Sequence, residues 1–186
     1  MRSILPFDEL NAFITKLNSW FPSGKLAERR DLDEDILDEM FDLFLLAYAM
    51  GNEVTNASLS SDWEPPVEEV LKTVNKKIEG KTWKERAEEY LESGGSVDDL
   101  VRIIETESHR DANTAALTTA KHGGAGKKTW VTMLDERVRD THQYLEKVSV
   151  GIDEDFYTYD GDHAPAPGLF SLPENNINCR CELSFK

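Results

Sequence analysis

The sequence predicts an α+β fold, mainly helical in its N-terminal and middle parts, with a small C-terminal antiparallel sheet packed on a long helix over 96–121. Three observations lead there. Up to Lys121 the apolar residues recur at helical intervals, whereas after the His122-Gly-Gly-Ala-Gly126 break the apolar runs are short and extended in character. Two helix starts carry capping-box spacing, Thr82 with Glu85 and Ser96 with Asp99. Turn and loop residues, Asp160-Gly161 and then Pro165, Pro167, Gly168 and Pro173, punctuate the last third.

Phe7, Leu10, Phe13, Ile14, Leu17 and Trp20 form the stripe of a first amphipathic helix, ended by Pro22-Ser-Gly24. Residues 31–42 then hold seven acids and no base, which favours a helix start through the backbone dipole. This second helix continues through Phe41 to Met50, with Gly51 as its expected stop. Its second half is apolar nearly all round, so it is either deep core or an assembly surface. Asn52 to Pro66 reads as a hinge. It separates an acidic helical unit, 1–58, from a second domain, 66–186.

Helices are expected over Val67–Glu79 and Trp83–Glu92, closed by Gly80 and by Gly94-Gly95. The long helix follows, with Val97, Leu100, Val101, Ile104, Ser108, Ala112, Ala115 and Thr119 on one face. Its small residues after Ala112 would let another element come close. Lys127 to Met133 reads as a strand with Trp130 inward, and a helix is expected from Asp135 onward. On that helix Asp135, Arg139 and His142 would share one face beside the apolar stripe Leu134, Val138, Thr141 and Leu145. Short extended pieces near Val148–Val150 and Phe156–Tyr159 precede a last strand, Ile177 to Phe185. In that strand Cys179 and Cys181 would point the same way.

Composition limits the possible partners. With 186 residues, 39% hydrophobic and 31% charged, the chain can bury one good core or two small ones. A formal net charge of -15 repels phosphate, so direct specific nucleic-acid binding is not expected and a basic protein surface is the better match. No apolar run approaches the roughly 20 residues of a membrane span. The start Met1 to Asp8 meets acid too soon for a signal peptide. The expectation is a cytosolic protein whose two cysteines stay reduced.

The ordered set Thr106-Glu107, Asn113, Lys128-x-Trp130, Asp135-x-Arg137-x-Arg139-x-x-His142, Phe156, Pro167 and Asn178-Cys179-Arg180-Cys181 resembles the phage head morphogenesis family, typified by Mu F-like minor head proteins. The resemblance is clearest over 100–186, with a weaker echo in Gly80-Lys-Thr-Trp-Lys-Glu85. Two positions depart from it: Gln143 to Lys147 lack a glycine found there in the family, and Glu105 replaces an arginine. The resemblance implies a minor virion protein, inside or beside the procapsid, made in the host cytoplasm. It would associate with the portal and other head proteins, and would assist head assembly, DNA packaging or DNA ejection. Self-association is a further option for the apolar second helix. The resemblance also favours Glu107 as a buried carboxylate, for which Arg139 or Arg137 would supply a guanidinium.

Three chemistries compete for the motif residues Glu107, Trp130, Asp135, Arg137, Arg139, His142, Asn178, Cys179 and Cys181. Cys179 and Cys181 could hold zinc with His142, and His163 could complete the set. Against this, Cys-x-Cys is tighter than the usual spacing, and free cysteines are commonly plain buried hydrophobes. A hydrolase or nuclease could use Cys179 with His142, or the Asp-x-Arg-x-Arg-x-x-His run. The preferred reading is structural: no enzyme and no required cofactor, but polar groups that satisfy one another in a compact cluster.

Overall fold

The computed structural model describes residues 4–186. Met1 to Ser3, at the front of the segment read for a leader, lie outside the described residues, as does the side chain of Glu28. The fold is α+β. Helix α1 (Phe7–Trp20) buries Leu10, Phe13 and Leu17, and two 3-10 turns lead into α2 (Asp33–Leu59). The acidic start of α2 matches the dipole reading. Its end does not match, because the helix runs through Gly51 and stops at Ser60, which adopts a left-handed φ of 54°.

Gly51 serves packing rather than termination. A Cβ at Gly51 would stand 2.2 Å from the carbonyl oxygen of Ala112, so only glycine lets α2 lie this close to α5 (Val97–His122). Ala47, Ala112, Ala115 and Ala116 are buried in the same part of the molecule, and Thr119 Oγ1 donates to Asn52 Oδ1 at 2.7 Å. Met40, Leu43, Phe44 and Tyr48 of α2 face the core. The residues after α2 are anchored too: Trp63 stacks on His122 with ring centroids 4.2 Å apart, and Asn56 Nδ2 donates to the Trp63 carbonyl.

Helix α3 (Val67–Val74) stops short of the expected Glu79, where Ile78 and Lys81 form a bridge instead. Helix α4 (Trp83–Ser93) ends at left-handed Gly94, and capping boxes at Thr82/Glu85 and Ser96/Asp99 open α4 and α5. Helices α1, α2 and α4 and the first turns of α5 enclose one apolar core around Phe13, Leu17, Phe44, Trp83, Leu91, Leu100 and Ile104.

The sheet lies beyond α5. Strand β1 (Lys127–Val131) is central, flanked antiparallel by β2 (Ser149–Gly151) and β5 (Glu182–Phe185), with Trp130 opposite Leu183. A second hairpin joins β3 (Phe156–Tyr157) to β4 (His163–Ala164) through the expected Asp160-Gly161 turn. The expected helix from Asp135 is absent. Leu134 takes a φ of 55°, Asp135 Oδ1 accepts from the Arg137 amide and Val138 N–H donates to the Asp135 carbonyl. These local bonds satisfy the backbone as a turn, and only α6 (Asp140–Gln143) is helical. The last strand is shorter than expected, because α7 (Pro173–Asn176) occupies the preceding loop and Asn178, at φ 57°, turns the chain toward the cysteines.

Candidate functional site

Seven consecutive residues of α5, Glu107 to Asn113, are buried, so the helix is enclosed on all sides at mid-length. Four of them carry ionisable side chains. Glu107 Oε1 accepts from the Arg86 guanidinium at 2.6 Å, and its second oxygen pairs with Arg110, one turn on. Arg110 in turn donates to Asp111 Oδ1 at 2.9 Å and to the Thr73 carbonyl at 3.3 Å. Two guanidiniums thus answer two carboxylates, as burial of charge requires. Burial raises the Asp111 carboxyl to about 7, against the pull of Arg110.

The expected partners of Glu107 are therefore corrected. Arg139 donates to the Ile177 carbonyl and Arg137 is exposed, while the two oxygens of Glu107 are taken by Arg86 and Arg110. Asp135 instead forms a two-point pair with Arg180, at 2.8 Å for each bond, and the Arg180 hydrogen bonds hold its carboxyl below the usual range.

Beside this network lies a sulfur and aromatic cluster. Trp130, fully buried, meets His142, Phe156 and Phe170 with ring centroids 5.2, 5.2 and 5.6 Å away. His142 Nδ1 stands 3.5 Å from Cys179 Sγ and 3.5 Å from Cys181 Sγ, and all three residues are buried. From α5, His109 Nε2 donates to the Cys181 carbonyl at 2.7 Å and Asn113 Nδ2 to the same oxygen at 3.3 Å. Burial pulls the His109 pKa down, which favours the neutral ring this bond uses. Burial pushes the Cys179 thiol up, but hydrogen bonding from Cys181 and the charges of Arg139 and Arg180 outweigh it, and the net shift is downward. Cys181 is raised, first by its bond to Cys179 and then by burial. Neither cysteine is in a disulfide.

Trp130, His142, Cys179 and Cys181 are thus brought together, Asp135 and Asn178 stand at the rim of this cluster, and Glu107 belongs to the separate ionic network. His163 is elsewhere: its Nδ1 pairs with Asp155 at 2.8 Å and its ring stacks on Tyr157. Among the residues that escaped the sequence reading is Asp162. Asp162 is buried and accepts from Ser171 Oγ at 2.6 Å, the Leu172 amide at 3.1 Å and Asn175 Nδ2 at 2.9 Å. Burial would raise its carboxyl, yet these donors hold it down. Lys128 is buried with Nζ 5.5 Å from the Phe156 ring centre, and burial lowers its pKa to about 8. The Glu107–Arg110 pair had a visible signal in its i, i+3 spacing; Asp162 had none.

Comparison with known proteins gives these residues a family context. Over 112 residues the chain is 36% identical to the NAD(+)--arginine ADP-ribosyltransferase EFV of Enterococcus faecalis, covering 56% of this chain and 22% of that protein. Over 83 residues it is 30% identical to the minor head protein GP7 of Bacillus phage SPP1, covering 43% of this chain and 27% of that protein. The chain thus spans about a quarter of the length of these relatives. No solved structure matches. The model of the phage Mu protein F like proteins matches residues 68–184, a span that contains the ionic network, the cysteine pair and all of the sheet but Phe185, and the chain belongs to that family.

Proposed function

We propose that this chain is a minor head protein of a tailed phage or prophage, present in the virion and assembled in the host cytoplasm, which associates with the portal and assists head assembly, DNA packaging or DNA ejection. The observation that carries this reading is the family match across 68–184, supported by similarity to a phage minor head protein. The site geometry favours a structural role over catalysis. Cys179 borders a cavity of about 550 Å³, but His142, the base a thiol nucleophile would need, does not line it, and both residues are at most 7% exposed. The arginines that a nuclease would aim at phosphate, Arg137 and Arg139, both line that cavity, but Arg139 is held there by the Ile177 carbonyl and the neighbouring Arg180 by Asp135.

The acidic unit, 1–58, supplies the docking surface in this reading. Glu34, Asp35, Asp38 and Asp42 are exposed along the start of α2 and Asp31 just before it, a field that speeds encounter with a basic face on the portal or another head protein. Co-sedimentation with purified particles, followed by pull-down of portal, tests the proposal. The protein is expected in the particles and in the portal complex. Absence from both overturns the reading.

A further inference from the structure

We propose that His142, Cys179 and Cys181 form a zinc site, with Nδ1 and two thiolates as its protein ligands and a water as the fourth. Their ligand atoms all lie within 4.8 Å of one another. In a tetrahedral zinc site with Zn–N near 2.0–2.1 Å and Zn–S near 2.3 Å, the nitrogen-to-sulfur edge is about 3.5 Å. Both Nδ1–Sγ distances here are 3.5 Å.

Hydrogen bonding alone does not explain this arrangement. One imidazole nitrogen offers either a single proton or a single lone pair in the ring plane, so it serves one thiol well and not two at equal distance. A cation between the three atoms serves both sulfurs. The tight Cys-x-Cys spacing is no obstacle, because both sulfurs stand equally far from His142 Nδ1 and the Cys181 amide donates to Cys179 Sγ at 3.5 Å.

The surroundings suit a metal that ties the chain together. Its ligands come from the four-residue helix α6 and from the segment entering β5, and neither element has an apolar stripe long enough to fix itself. The Cys181 backbone is held from α5 by His109 and Asn113, the kind of outer support that orients a ligand. A cavity of about 10 Å³ adjoins the three residues, lined also by Met133, Val138 and Asn178; that volume accepts roughly one water. Zinc with two thiolates is neutral, so the guanidiniums of Arg139 and Arg180 at the cavity wall meet no excess positive charge. Thiolate and imidazole donors in a tetrahedral set select zinc over magnesium or calcium.

Metal analysis of the full chain purified without chelator tests the site, together with cobalt(II) exchange. The expected content is about one zinc per chain. Cobalt should give thiolate-to-metal charge transfer and the intense visible bands of a tetrahedral ion, and both should vanish in Cys181→Ser. Exposed carboxylates could collect cations nonspecifically, but carboxylate-bound cobalt gives the weak octahedral spectrum without charge transfer. Zinc far below one per chain after reconstitution, or the octahedral spectrum alone, overturns the proposal. Both decisive readings use the unmutated protein, so a Cys181→Ser chain that fails to fold leaves the test intact.

Discussion

The two halves of α5 are buried by different means. From Val97 to Ile104 the inward positions are Val97, Leu100, Ile103 and Ile104, packed on α1, α2 and α4. From Glu107 to Asn113 burial extends round the whole helix and takes in Glu107, His109, Arg110, Asp111 and Asn113. The first half follows the amphipathic rule, with one apolar stripe and a wet back. The second is enclosed by α2, α3, the 168–176 loop and the sheet, so each polar group there depends on a named partner. A helix can therefore change from apolar packing to ionic packing within two turns, and the consequences of substitution change with it.

Arg110→Ala should break this contrast most severely. It leaves Glu107 and Asp111 short of a buried cation, and an orphaned interior charge costs about 3 to 5 kcal/mol. Urea unfolding measures the loss.

The pH dependence of stability sharpens the same comparison. Asp111, raised to about 7 in the folded state, keeps its proton where the unfolded chain has already released it. Stability from this group is full below about pH 3.8 and is lost as pH rises through about 7, a change on the order of a few kcal/mol. Asp162, held below its ordinary value, acts with the opposite sign, adding stability above the usual carboxylate pKa that disappears as pH falls through its folded value. Asp111→Asn should flatten the loss between pH 4 and 7, measured as unfolding free energy at each pH.

Gly51→Ala probes the small-residue contact between α2 and α5. A Cβ 2.2 Å from a backbone oxygen forces the helices apart, and overpacking of this kind costs about 1 to 3 kcal/mol. Arg180→Ala should cost least, under about 1 kcal/mol, because its pair with Asp135 is partly exposed. Melting temperatures of both variants check the ranking.

Much of the fold was legible because local chemistry and tertiary structure agree. The two capping boxes, the α1 stripe, the inward Trp130 and the Asp160-Gly161 turn all stand where the sequence placed them. The readings that failed did so where a residue serves a distant neighbour. Gly51 looked like a helix stop but makes room for Ala112. Asp135 looked like a helix start but closes a turn and reaches Arg180. Arg139 does not meet Glu107, and Arg86 from α4 takes the place no periodicity could assign. The cluster of Trp130, His142, Cys179 and Cys181 was visible in outline because two of its members sit one residue apart. Its support from His109 on α5 was hidden by a sequence separation of 72.

A double-mutant cycle on Glu107 and Arg110 tests the ionic character of the second half most directly. Glu107→Gln, Arg110→Met and the combined variant would be unfolded in urea at neutral pH. The expected result is a combined loss smaller than the sum of the single losses by about 1 to 3 kcal/mol, and additivity within about 0.5 kcal/mol would contradict it.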